Sequence, residues 1–247
     1  MNASFTYLGG MAVQVVREDG LKLLFDPYIT GGENKEARLE QYYDTDYLFV
    51  THAAFDHFGD TVEICRNSHC IVCGGSEVLR RIRLSYPLPD DRWHLAVYGD
   101  EFVLDGQASC RPVPAYHLST DASEGIQTNW NPHGFVVKIA PGVTYYHTGD
   151  TAIYSDMKLW RELYHPQVMC VGISSITPAY PREMTPREAA MAVGFVGAEA
   201  VIPTHYPLGS ADFDEFVTHL RSFAPDAVVC AEWNRPFIYT PSSIQYQ

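Results

Sequence analysis

Along this chain the spacing of apolar and polar positions changes its period several times, and each change predicts an element. Residues 4–8, 12–16 and 21–25 have strand-like patterning, with Gly9-Gly10 and Glu18-Asp19-Gly20 as turns between them. The third strand stops at Asp26-Pro27, because proline cannot continue a ladder. Residues 28–44 read as a long surface loop, a kind often used for function. The apolar run Tyr47-Leu48-Phe49-Val50 predicts a buried strand ending at Thr51. A helix is expected over 59–67, a short strand over 70–73, and a helix over 77–84 with Ser76 as its N-cap. Residues 94–98, 101–104 and 108–114 predict a meander, and a polar segment follows from Tyr116 to His133.

The second half alternates strands with helical patterns. Strands are predicted at 135–139 and 143–147, a helix at about 155–164, and a buried strand at 167–173. Thr185 with Glu188 forms a capping box, and Pro186 takes the first position of a helix over 186–196. A strand at 200–202, a helix at 212–223 and strands at 226–231 and 236–240 complete the chain. No linker or low-complexity segment divides this order. A single domain over residues 1–247 is expected, built as two halves, each a sheet covered by helices.

Composition narrows the function. The 247 residues are 46% hydrophobic and 19% charged, so a large core is expected. A net charge of -13 argues against broad contact with nucleic acid, which needs a basic face. It leaves room for a small anionic substrate, because a bound metal can dominate the local field. No apolar run approaches the roughly 18 residues of a membrane span. The first residues lack the pattern of a signal peptide, so a cytoplasmic location is expected. A homo-oligomer is compatible with the sequence. The six cysteines do not suggest a disulfide scaffold in a chain this long. Cys65, His69, Cys70 and Cys73 lie close together, but no second pair follows at zinc-knuckle spacing.

The chemistry-bearing residues fall at strand ends. His52, Asp56 and His57 follow one strand, on the turn before a helix. His117 follows a second, Asp150 a third and His205 a fourth. Open α/β folds place ligands at strand ends of this kind. Imidazoles mixed with carboxylates suit Zn²⁺ first, and also Mn²⁺ or Fe²⁺. Four strand ends with the same feature point to a metal site. Asp26 and His147 each have two readings: a residue that orients a ligand by a hydrogen bond, or a structural one; for Asp26 the first is preferred. Tyr116, Tyr180 and Arg182 lie on segments that could border the site.

In these motifs the chain resembles the metallo-β-lactamase fold superfamily. The matching elements are Thr51-His52-x-x-x-Asp56-His57, His117, His147-Thr148-Gly149-Asp150-Thr151 and Pro203-Thr204-His205-Tyr206. More narrowly it looks like the small metal-dependent hydrolases related to ascorbate-6-phosphate lactonases. Leu24-Phe25-Asp26-Pro27-Tyr28, Asn131-Pro132-x-Gly134-Phe135 and Gly149-Asp150-Thr151 match that branch too. The resemblance implies an α/β fold, a four-layer αββα sandwich. It implies that His52 and His117 belong to a first metal position, that Asp56, His57 and His205 belong to a second, and that Asp150 bridges them. It also implies a metal-activated water acting on a small ester, lactone, amide or phosphoester, with Asp56 as the catalytic residue that orients that water and relays protons.

One position departs from the resemblance. The superfamily pattern is His-x-His-x-Asp-His, and Ala54 stands where the second histidine is expected. Alanine cannot ligate. Three outcomes remain open: one ion at the complete position, two ions with water or another side chain replacing residue 54, or a degenerate site in a non-catalytic binding or regulatory module. His133 is a candidate replacement, although an ordinary loop role is the plainer reading.

Overall fold

The computed structural model describes residues 1–121, 128–176 and 183–247, with backbone alone for 120–121 and 128–130. The first sheet collects β1 (Ala3–Gly9), β2 (Ala12–Arg17), β3 (Lys22–Phe25), β4 (Tyr47–Val50), β5 (Ile71–Gly74) and β6 (Trp93–Leu95). The second holds β7 (Phe102–Val103), β8 (Ser109–Pro114), β11 (His133–Ala140), β12 (Val143–His147), β13 (Val168–Gly172), β14 (Ala200–Thr204) and β15 (Val228–Val229). Between β8 and β11 a small ribbon pairs β9 (Ser119–Asp121) with β10 (Thr128–Trp130). The chain ends with β16 (Phe237–Thr240) and β17 (Ser243–Tyr246), which return to the first sheet beside β1.

Alternation along the strands builds the layers. On β11, Phe135, Val137 and Ile139 face the first sheet, while Val136 faces the helices outside. On β13, Val168 and Cys170 point inward and Met169 and Val171 outward. Strands buried on both faces in this way carry nearly continuous apolar runs, which is why β13 is legible as buried. Between the sheets Phe25 stacks on Phe49 at 4.6 Å, and Phe49 meets Phe135 of the opposite sheet at 5.2 Å. A fully buried phenylalanine contributes roughly 1.5–3 kcal/mol.

Helices cover both outer faces. The short α1 (Phe55–Phe58), α2 (Thr61–Asn67) and α3 (Ser76–Arg83) lay Phe58, Ile64, Val78 and Ile82 on the first sheet. The second sheet is covered by α4 (Met157–Tyr164), α5 (Pro186–Val196) and α6 (Asp212–Phe223), through Met157, Val193 and Phe216. The result is an αββα sandwich. Among the described residues no helix is long and apolar enough to cross a membrane.

Two differences from the sequence reading matter for the site. The predicted helix over 59–67 is α2, which begins at Thr61, and a separate helical turn that was not predicted, α1, precedes it and is ended by Gly59, whose φ is +31°. A Cβ there would stand 2.4 Å from the Pro27 carbonyl oxygen, so glycine lets α1 press against the end of β3. Asp56 and His57 therefore sit on a helical turn of their own rather than on an open loop. Ser76 is the first residue of α3, and Gly75 takes the cap position.

The strands that carry the candidate ligands run parallel where it counts. β3 pairs parallel with β4, and β12, β13 and β14 pair parallel in the other sheet. Their carboxyl ends open on a common edge of the sandwich. Gly149 brings the two sheets together there. It has φ +58°, and a Cβ would meet Thr51 side-chain carbons at 2.8 Å. Gly149→Ala is expected to destabilise the fold by at least about 1–3 kcal/mol from the backbone conformation alone and to weaken metal binding. Urea unfolding and metal titration of the variant check both effects.

Candidate metal centre

The centre is assembled around one buried carboxylate that follows β3. Asp26 is fully buried, with φ +43°, an unfavourable conformation for a residue that also precedes proline. It is held there from several directions. The Thr51 amide donates to Oδ1 at 2.8 Å, and the Thr51 hydroxyl donates to Oδ2 at 2.8 Å. His57 Nδ1 and His147 Nε2 reach Oδ2 at 2.8 and 3.1 Å. Burial opposes the Asp26 charge, but His57 and His147 hold its carboxyl well below the usual range.

Asp26 thereby aims His57. With Nδ1 turned to the carboxylate, Nε2 points the other way, 3.2 Å from Asp150 Oδ2. His52 is set by Thr51, whose hydroxyl oxygen lies 3.1 Å from its Nδ1 and leaves Nε2 bare. The peptide of Ala53 is pinned on both sides. Its amide donates to Ser119 Oγ at 3.3 Å, its carbonyl accepts from Arg81, and Ser119 in turn donates to buried Glu77 at 2.9 Å. Ala54 caps α1, where its carbonyl accepts from the amides of His57 and Phe58.

The second sheet brings the remaining groups. Asp150 follows Gly149 at the end of β12. His205 follows β14 in a left-handed conformation, φ +57°, and its Nδ1 lies 3.1 Å from the Ser174 carbonyl. That bond directs His205 Nε2 to 3.4 Å from Asp56 Oδ2 and 3.4 Å from Asp150 Oδ2. His117 Nε2 stands 3.8 Å from Asp150 Oδ2, with its ring edge-on to His52 at 5.2 Å. At 28% exposed, His117 forms the open side of the cluster.

All six sequence-predicted candidates thus come together. Their donor atoms form three sets, each within 4.8 Å: His52, His57 and Asp150; Asp56, His57 and His205; and His117, Asp150 and Glu183. Glu183 was missed. It lies well past the end of β13, so the strand-end pattern did not reach it. His133, the candidate replacement for residue 54, belongs to none of the sets. It packs against Tyr98 at 4.8 Å and Phe135 at 6.4 Å instead. His147 touches Asp26 rather than a candidate ligand, one bond further out than anticipated. Cys65, Cys70 and Cys73 are buried and join no metal-binding set among the described residues. Tyr180 and Arg182 lie outside the described residues.

The fit to a cation shows in the atoms left without partners. His52 Nε2, His57 Nε2, Asp150 Oδ1 and Glu183 Oε2 are buried and make no hydrogen bond. Leaving a buried polar atom unpaired costs about 1–3 kcal/mol, more for charged groups. A dication held among these atoms pairs them, and the mixed imidazole–carboxylate set suits a borderline transition metal.

Charge within the cluster is strongly coupled. Burial drives the His52 imidazole down to about 3, helped by repulsion from His57. Burial also disfavours charge on His205, but the Asp150, Asp56 and Glu183 carboxylates outweigh it and raise it to about 10. His57 is raised well above its ordinary value in the same way, by Asp150 and Asp26 against burial. Burial pushes Asp56 upward, yet the His205 bond and the His57 charge leave it below the usual carboxylate range.

A pH signature follows from these directions. His57 and His205 carry protons at pH 7 in chelator-treated protein, and metal ligation requires neutral imidazole. Binding Zn²⁺ at pH 7 is expected to release about two protons, with none from His52. The binding enthalpy should then change linearly with the ionisation enthalpy of the buffer; a slope of zero contradicts it. By linkage, the raised value of His205 stabilises the chelator-treated fold fully below about 6.5. That contribution is lost as pH rises through about 10.

Known proteins define the class first. The β-lactamase superfamily domain matches residues 22–206, and a metallo hydrolase from Ignicoccus hospitalis superposes with a TM-score of 0.80 at 26% identity, covering 97% of this chain and 99% of its own. The fold is also shared with the metallo-β-lactamase fold protein YhfI of Bacillus subtilis, at TM-score 0.71 and 12% identity over 96% of this chain and 98% of that one. The chain belongs to this superfamily and, within it, to the UPF0173 metal-dependent hydrolases. The relative from Pyrococcus horikoshii is 35% identical over 216 residues, covering 85% of this chain and 88% of its own. The one from Methanopyrus kandleri is 33% identical over 228 residues, covering 91% and 94%. A divalent metal and hydrolysis come with that family.

Proposed function

We propose that the chain hydrolyses a small ester or lactone carrying an apolar part, with His52, Asp56, His57, His117, Asp150 and His205 holding the metal. The supporting observation is the set of buried donor atoms without hydrogen-bond partners that converge from both sheets. When bound, a divalent cation lowers the pKa of a coordinated water from about 15.7 to about 7 and polarises a carbonyl oxygen. Zn²⁺ suits the imidazoles, and Mn²⁺ or Fe²⁺ suits the carboxylates.

The chain's own groups do the rest. Asp56 is held anionic by His205 and His57, so it is an acceptor that orients the attacking water's proton. Asp26 and Ser174 lock the orientations of His57 and His205. Substrate approaches from the His117 side. The exposed neighbours of the donors there are apolar: Phe55 beside Asp56, and Tyr116 and Leu118 beside His117. Tyr28 meets Phe55 edge-on at 5.7 Å and extends that surface.

Such a rim favours hydrocarbon. Each buried methylene adds about 0.8 kcal/mol, roughly fourfold in kcat/KM. Turnover of p-nitrophenyl esters by the metal-loaded protein should rise from acetate to butyrate, two methylenes, by about 15-fold in kcat/KM. Aliphatic lactones should be hydrolysed and bis(p-nitrophenyl) phosphate left nearly untouched. Phosphodiester turnover without ester or lactone turnover overturns the substrate class. The rival reading, a non-catalytic module, draws on Ala54; bound metal with no hydrolysis of any of these compounds would favour it.

A further inference from the structure

Ala54 removes a donor from the family pattern, and Glu183 brings another donor to His117, which the resemblance assigns to the position that loses it. Its position is built by its neighbours. Met184 is buried in the core beneath α5, and Thr185 caps that helix by accepting from the Glu188 amide while the Glu188 carboxylate accepts from the Thr185 amide at 2.8 Å. This anchors the chain immediately after Glu183 and turns its carboxylate inward. The side chain is 9% exposed. One carboxylate oxygen shares a donor set with His117 and Asp150, all within 4.8 Å.

Its neighbours only partly account for a carboxylate buried here. Glu183 Oε2 has no hydrogen-bond partner. It lies 3.4 Å from His205 Nδ1, close enough to act on that ring's charge, but the nitrogen is already bonded to the Ser174 carbonyl. A buried carboxylate beside a second carboxylate, Asp150, is strongly disfavoured unless a cation joins them. We infer that Glu183 is itself a metal ligand, completing with His117 and Asp150 the first cation position, the one that loses an imidazole at Ala54.

This assignment rests on the metal-binding reading above. Asp150 is common to this set and to the set of His52 and His57, so the chain holds two ions. Exchange of an imidazole for a carboxylate also makes this position a harder ligand set, tilting it toward Mn²⁺ or Fe²⁺ relative to an all-histidine set.

The test is a stoichiometric titration of chelator-treated protein with Co²⁺, followed by visible absorption and by elemental analysis after desalting. Wild type is expected to bind two ions and Glu183→Gln one. Adding Ala54→His to Glu183→Gln should restore the second ion, which also shows that the single variant is folded. Three results overturn the inference: wild type binding one ion, Glu183→Gln binding two with unchanged affinity, or loss of an ion that Ala54→His does not restore. If wild type binds no metal, the metal-binding reading itself fails.

Discussion

Replacing Asp150 with alanine is expected to strip the protein of tightly held metal and to lower kcat/KM by about 10³-fold or more. Three imidazoles face this carboxylate: His57 at 3.2 Å, His205 at 3.4 Å and His117 at 3.8 Å. It belongs to two of the three donor sets, and its Oδ1 is buried without a partner. Burial pushes Asp150 upward, but His205 and His57 hold it well below the usual carboxylate range, so it is fully charged at neutral pH. Removing that charge leaves positive or neutral rings converging on the same space. A metal's stabilisation of transition-state charge is worth several kcal/mol, and about 4 kcal/mol is roughly 10³-fold in rate. Metal content and ester hydrolysis measured on the same preparation check both parts. Activity within tenfold of wild type would show that Asp150 is not at the centre of the site.

Asp26→Asn should give the largest combined loss of stability and affinity for a residue that touches no metal. The carboxylate takes four hydrogen bonds, from the Thr51 amide and hydroxyl, His57 and His147. An amide in its place turns its NH₂ toward groups that also donate, or surrenders the bond to Thr51 if it flips. Breaking a buried charged pair from one side costs about 3–5 kcal/mol. A partner that orients a ligating histidine is worth about 10–100-fold in metal affinity or activity. Asparagine should therefore shift the urea midpoint and also weaken metal binding. The stabilisation from Asp26 is present above the ordinary carboxylate pKa and is lost as pH falls, so wild type and variant should converge in stability toward acid. A variant that loses stability alone would assign Asp26 a purely structural role.

Much of this arrangement was legible because local chemistry and tertiary structure agree. The α5 and α6 helices lie where the periodicity places them, α5 with its capping box and Pro186 at the first position. Strands β13 and β14 were legible because both faces are buried. The strand-end pattern alone gathers His52, Asp56, His57, His117, Asp150 and His205. The β9–β10 ribbon was not legible, since its strands are polar and short. The edge strand β17 was hidden in the same way by Ser243 and Gln245. The break at Gly59 depends on the Pro27 carbonyl, a contact between distant segments that no local period encodes.

Glu183 and His147 show the same limit at the site. Glu183 is placed by the buried Met184 and the α5 cap that follow it, not by a strand end. His147 lies on a strand end, where the sequence leaves both a ligand-orienting and a structural role open. Its partner is Asp26 on the opposite sheet, and the two meet only when the sandwich closes. Asp26 itself was marked by its position before Pro27, but its bond to His57 could not be seen in sequence.

Elemental analysis of protein purified without chelator tests the central claim most directly. At least one transition-metal ion per chain, retained through desalting and lost with Asp150→Ala, is the expected result. Protein with no bound metal, and no uptake from added Zn²⁺ or Mn²⁺, would contradict it.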